Sequence, residues 1–127
     1  MYTGHEECSA ALQKARDLAG SALSPEEGIA RIGQGWVGEE ALAIAVYCAL
    51  KFQDDFPSAI IAAVNHSGDS DSTGSITGNI LGAYLGVDSI PKRWIDRLEL
   101  SSVITRMADD LEACFEDSEE WVARYPG

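Results

Sequence analysis

Residues Asn65–Gly86 read NHSGDSDSTGSITGNILGAYLG. The stretch changes character part-way along. Asn65–Ser72 is polar, rich in turn-forming residues, and reads as a loop. Thr73–Leu85 reads as a helix. Gly74, Gly78, Gly82 and Gly86 recur at every fourth position, which lines up one bare stripe on that helix. Each glycine in a helix interior costs ~1 kcal/mol relative to alanine. A sequence that accepts this repeatedly needs close backbone approach, and the expected partner is the apolar segment Ala41–Leu50.

That upstream segment lies within a helix expected over Glu39–Gln53 and carries no charge between Ala41 and Leu50. A helix apolar on all sides belongs in a core. Further upstream, Cys8, Leu12, Ala15, Leu18 and Ala19 fall at helical spacing within Glu6–Leu23. Ser24-Pro25-Glu26-Glu27 combines a Ser cap, Pro at the first helical position and Glu three residues after the cap. It opens a short helix through Ile32, which Gly33-Gln34-Gly35 ends. Asp54–Ser58 reads as a turn with a new cap, and the alanines of Ala59–Val64 favour helix over strand. Pro91–Leu98 and a long acidic closing helix over Ser102–Arg124 complete the series. The expectation is an all-α, compact multi-helix bundle, with residues 1–127 forming a single domain.

Composition narrows the function. Nine basic against 21 acidic residues give a net charge of -12. No basic patch of the kind a nucleic-acid binder carries is visible, and the densest basic group is Lys92, Arg93 and Arg97. Such a surface repels phosphate ligands and anionic lipid, so a phosphate-bearing substrate needs a local positive charge. A metal ion is the natural source. No apolar run approaches the ~20 residues that a membrane span requires. Three widely separated cysteines, Cys8, Cys48 and Cys114, with no C-x-x-C and no signal peptide, indicate a reduced, cytoplasmic protein.

The chemistry concentrates in Gly68-Asp69-Ser70-Asp71-Ser72-Thr73-Gly74. Two carboxylates one residue apart, followed by hydroxyls, suit a hard cation such as Mg²⁺. The positive end of the following helix favours their ionised form. The same residue types are also preferred helix caps, and the residues alone leave both readings open. The letters fit the start of an EF-hand loop, but its twelfth place needs Glu and here holds Ile80. They also fit the Asp-x-Asp-x-Thr motif of haloacid-dehalogenase-like phosphatases, with Asp69 as nucleophile. That motif follows an apolar strand directly, whereas Asn65–Gly68 intervenes here.

The whole stretch Asn65–Gly86, together with Gly35-Trp36-Val37-Gly38-Glu39-Glu40-Ala41-Leu42-Ala43 upstream and the Ile90-Pro91 and Trp94 region downstream, resembles the C-terminal part of the ADP-ribosylglycohydrolases. The resemblance extends to the dinitrogenase-reductase-activating glycohydrolases. It implies an all-α fold and hydrolysis of the glycosidic bond that joins ADP-ribose to a protein side chain or another acceptor. It implies a pair of Mg²⁺ ions, with Mn²⁺ as a possible substitute. By position, Asp69, Asp71 and Ser72 match the family's metal ligands, with Ser72 in place of the commoner Thr. His66 is a further candidate for substrate contact, and no catalytic residue is assigned.

The family's N-terminal acidic clusters have no counterpart in this sequence. Asp54-Asp55 is followed by Phe56 and Asp109-Asp110 by Leu111, where the family pattern has Thr. A complete dinuclear site cannot be drawn from one copy. The expectation is that the sequence is a fragment or one half of a split protein, or that the remaining ligands come from an N-terminal-half partner chain or a homo-oligomer. The expected binding partners are an ADP-ribosylated protein or an ADP-ribose-like small molecule. The alternative is a non-catalytic binding or regulatory module built on the same fold. Glu39 and Glu40 suit the N-terminus of the apolar helix, and Trp36, Trp94 and Trp121 read as core or interface aromatics.

Overall fold

The computed structural model describes residues 4–114, 116 and 118–126. Among them every regular element is helical and none is a strand. The chain divides into two compact units, residues 1–91 and 92–127.

The first unit holds five α-helices and a 3₁₀ turn. Helix α1 is Glu6–Ala19, α2 Pro25–Ile32, α3 Gly38–Lys51, α4 Phe56–Val64 and α5 Ser70–Leu85, with the 3₁₀ turn at Val87–Ser89. Helix α1 stops four residues before the expected Leu23. The Ser21 hydroxyl donates to the Leu18 carbonyl at 2.6 Å, closing the helix end before Ser24 opens the next one. The Ser24 hydroxyl accepts from Glu27 N at 3.2 Å, and Glu27 accepts from Ser24 N at 3.0 Å. The expected capping box is therefore formed. Asp55 caps α4, accepting from both the backbone N and the hydroxyl of Ser58.

Helix α3 is central and packs against α1, α2, α4 and α5. Its Ala41, Ala43, Ile44, Ala45, Tyr47, Cys48 and Ala49 are all buried. The many alanines let neighbouring helices approach closely. The core joins Ile44, Tyr47 and Cys48 to Ala15, Ile29, Ile32 and Ala63. Tyr47 is fully buried and its ring fills the space where Gly28 would otherwise carry a side chain.

Helices α3 and α5 do pack on each other, but not through the glycine stripe. A Cβ at Gly74 would meet the Val64 side chain of α4, and one at Gly78 would meet Ile60 Cδ1 at 3.6 Å. Nothing lies within 4 Å of a Cβ at Gly82 or Gly86. The stripe's first half thus serves the α4 contact and its second half opens outward. The buried positions of α5 are Thr73, Thr77 and Leu81, which recur at the same four-residue interval on a different face.

In the second unit, α6 is Lys92–Ile95, α7 Ser101–Ala113 and α8 Glu119–Arg124. The single closing helix expected over Ser102–Arg124 is broken. Cys114 adopts φ 64, which ends α7, and the Ser118 hydroxyl accepts from Trp121 N at 3.2 Å to start α8. Helical periodicity had concealed that cap. Arg124 pairs with Asp110 at 2.7 Å, joining α8 to α7. Among the described residues, no helix is long and apolar enough to cross a membrane.

Candidate metal-binding site

The candidate ligands sit at the start of α5. Asp69 holds the N-cap position, and Ser70, Asp71 and Ser72 form the first turn. The polar loop therefore ends three residues earlier than the sequence suggested. Asp69 makes no side-chain capping bond. Of the two readings open for this residue, capping is the one the geometry does not use. Asp71 is held below the usual carboxylate range, first by its hydrogen bond with the Asp69 side chain and then by backbone N–H groups at Asp71 and Ser72. The two carboxyl groups share the start of one helix. Oxygen donors brought together without a cationic side chain suit a hard cation. Among the described residues, no group of three or more His, Cys, Asp or Glu side chains could hold a metal. The candidate set is two carboxylates and a hydroxyl, from Asp69, Asp71 and Ser72.

Two loops fix this helix start. Asp69 N donates to the Gln34 carbonyl at 2.8 Å. Gly68 lies so close to Gln34 that any Cβ there would collide with the Gln34 backbone. Gly35, at φ +80, is buried, and a Cβ on it would sit 3.1 Å from Thr73 Cγ2 and 3.7 Å from Asp69 Cβ. Only glycine readily combines that conformation with that fit.

His66 braces the other side. Gly68 N donates to its Nδ1 at 3.1 Å, so the neutral ring carries its proton on Nε2. That proton goes to Thr73 Oγ1 at 2.9 Å, and the Thr73 hydroxyl donates to the Ala63 carbonyl at 2.7 Å. Both ring nitrogens are engaged within the protein. His66 also lines a cavity of about 360 Å³ with Glu26, Ile29, Gln34 and Ser67. Trp36, expected in a core or interface, is 67% exposed, and its indole N–H donates to Gln34 Oε1 at 3.1 Å.

Sequence reasoning missed Thr73 and Glu40. Thr73 is fully buried and ties α5 to α4. Glu40 accepts from Gln34 N at 3.0 Å and Gly35 N at 3.1 Å. The available signal was Gly33-x-Gly35, a turn with exposed backbone donors, followed within one helical turn by an acid.

The profile of the ADP-ribosylglycohydrolase family matches residues 1–120. The chain belongs to that family. Human ADP-ribosylhydrolase ARH3 is 29% identical over 121 residues, covering 87% of this chain and 33% of its own length. The ADP-ribosyl-[dinitrogen reductase] glycohydrolase of Rhodospirillum rubrum is 42% identical over 62 residues, 47% of this chain and 21% of its own. ADP-ribosylarginine hydrolase Tri1 of Serratia proteamaculans is 41% identical over 58 residues, 46% of this chain and 16% of its own. The chain thus spans a third or less of these ADP-ribosylglycohydrolase relatives. No solved structure matches it.

Proposed function

We propose that this chain supplies the C-terminal metal half-site of an ADP-ribosylglycohydrolase, which cleaves the glycosidic bond between ADP-ribose and its acceptor. The observation that carries the reading is Asp69: an N-cap carboxylate that makes no side-chain capping bond, beside Asp71 and Ser72 at the start of α5. Asp69, Asp71 and the Ser72 hydroxyl would hold part of a Mg²⁺ or Mn²⁺ shell. Family membership and the activities named for the relatives support the chemistry. An ADP-ribosylated protein or an ADP-ribose-like small molecule is the substrate class.

When bound, the ion would orient the ribose, activate water and offset the repulsion between a chain of net charge -12 and a diphosphate. The chain's own part is to hold three oxygen donors on a braced helix start. Two carboxylates and one hydroxyl leave most of an octahedral shell to water, so one copy binds weakly. A second metal needs ligands from an N-terminal-half segment, a partner chain or a second copy. Free Cys8, Cys48 and Cys114 accord with a reducing, cytoplasmic setting. The small donor count keeps one other reading alongside, a binding or regulatory module without catalysis.

Calorimetry with Mg²⁺ and Mn²⁺ tests the half-site. The expected result is weak binding that Asp69→Ala and Asp71→Ala each remove. Equal affinity for the wild type and both variants overturns it.

A further inference from the structure

We infer that Glu40 is a positioning residue that sets Asp69 through a single peptide group, without being a ligand itself. The inference rests on the half-site reading above. The peptide between Gln34 and Gly35 has Glu40 on one side and Asp69 on the other. Its N–H, that of Gly35, donates to Glu40 Oε2 at 3.1 Å. Its C=O, that of Gln34, accepts from Asp69 N at 2.8 Å. An acceptor oxygen on the N–H end, charged or neutral, polarises the peptide toward its carbonyl end, because linked hydrogen bonds polarise one another. Glu40 therefore strengthens the acceptor that holds the Asp69 backbone.

The same carboxylate oxygen accepts from Gln34 N at 3.0 Å, which fixes the tilt of the turn. Close packing enforces the arrangement on both sides. The Glu40 carboxyl group occupies the space where Gly33 would carry a side chain, and Gly68 presses on the Gln34 backbone. Gly35 sets the Asp69 Cβ, 3.7 Å from its own Cβ position. Glu40 does not join Asp69 and Asp71 in any metal-holding group among the described residues. Its influence on an ion has to pass through the backbone. Outer partners of this kind commonly change metal affinity by about 10–100-fold.

Two variants separate this role from ligation or catalysis. Glu40→Gln keeps an acceptor oxygen of the same reach, whereas Glu40→Ala removes it. Two readouts are taken on each: Mn²⁺ affinity by calorimetry, and hydrogen exchange at the Asp69 amide with the Ala15 amide in α1 as a remote control. The expected result is at least about ten-fold weaker Mn²⁺ binding in Glu40→Ala and near-wild-type binding in Glu40→Gln. Exchange at Asp69 should rise in Glu40→Ala while Ala15 stays protected, which also shows that the variant is folded. Gln as damaging as Ala would make Glu40 a ligand or a required charge and overturn the inference. So would an Asp69 amide equally protected in all three proteins. Mn²⁺ affinity indifferent to Asp69→Ala and Asp71→Ala fails the half-site reading instead, and the Asp69 exchange data then still report whether the brace exists. Should Glu40→Ala unfold, Glu40→Gln decides alone: retained affinity with a protected Asp69 amide supports the inference and loss of either overturns it.

Discussion

Each of the two units of the chain is stabilised internally in its own way. In residues 4–91, an alanine-rich core surrounds α3, and buried groups such as Thr73 and Thr77 have their hydroxyls bonded to backbone carbonyls. In the described residues of 92–126, no residue is buried, and Leu98, Leu100, Val103, Ile104, Met107, Leu111 and Val122 are exposed. There the joining interactions are the Arg124–Asp110 pair, the bond from the Tyr125 hydroxyl to Asp110 at 2.8 Å, and the Trp121–Tyr125 ring contact at 5.1 Å. Asp110 is held below its ordinary range chiefly by Arg124, so its contribution exists above the usual carboxylate range and fades as the pH falls through it. Surface pairs of this kind contribute little individually. The candidate site lies in the buried unit, where its backbone can be fixed.

The sharpest way to break this comparison is Gly68→Ala. Its Cβ collides with backbone rather than with a flexible side chain. The expected loss is about 3 kcal/mol, the upper end of overpacking costs, read by urea unfolding. A loss below about 1 kcal/mol would mean that the junction between the two loops yields easily.

Thr73→Val comes next, at about 2 kcal/mol, because it strands His66 Nε2–H and the Ala63 carbonyl while keeping the shape. No change in Tm would remove Thr73 from the brace.

Gly78→Ala should act in the opposite direction. A Cβ there meets Ile60 Cδ1 at an ordinary 3.6 Å. The gain expected is up to about 1 kcal/mol from helix propensity. A loss would restore the tight stripe that the sequence suggested.

The smallest effect is chemical. Burial pushes the Cys48 thiol up from 9.0 to about 12, whereas Cys114 is exposed. A thiol reagent at pH 8 should modify Cys114 in the folded protein and reach Cys48 only on unfolding. Because the folded-state value is raised, the stabilisation tied to Cys48 is complete below pH 9 and is lost as the pH rises towards about 12. Rapid modification of both cysteines at pH 8 would contradict the packed core.

Much of this was legible in the sequence. Ser24–Glu27 spelled out its capping box, and the uncharged run Ala41–Leu50 announced the central helix. At the start of α5 the residues showed only one carboxylate more than a cap needs, and the choice of Asp69, Asp71 and Ser72 as candidate ligands came from the family resemblance. The remainder depended on pairings between distant segments. Which face of α5 meets α3 depends on Val64 and Ile60 claiming the glycine side, and nothing local to Gly74–Gly86 states that. The break after Ala113 rests on Ser118, one cap in an acidic run with continuous helical periodicity. Glu40 looked like a helix-end charge because its partners, Gln34 and Gly35, belong to a turn whose shape was unknown.

The central claim is that the chain contributes half of a metal-dependent hydrolytic site. The direct measurement is release of free ADP-ribose from an ADP-ribosylated protein in Mg²⁺, by the purified chain alone and with the N-terminal portion of a family member added in trans. The account predicts no appreciable release by the chain alone, because paired catalytic metals sit about 3.5–4 Å apart on shared ligands that Asp69, Asp71 and Ser72 cannot all provide. It predicts release on complementation, abolished by Asp71→Asn. Robust release by the chain alone, lost in Asp71→Asn, would show that the site is complete within these residues and contradict the account.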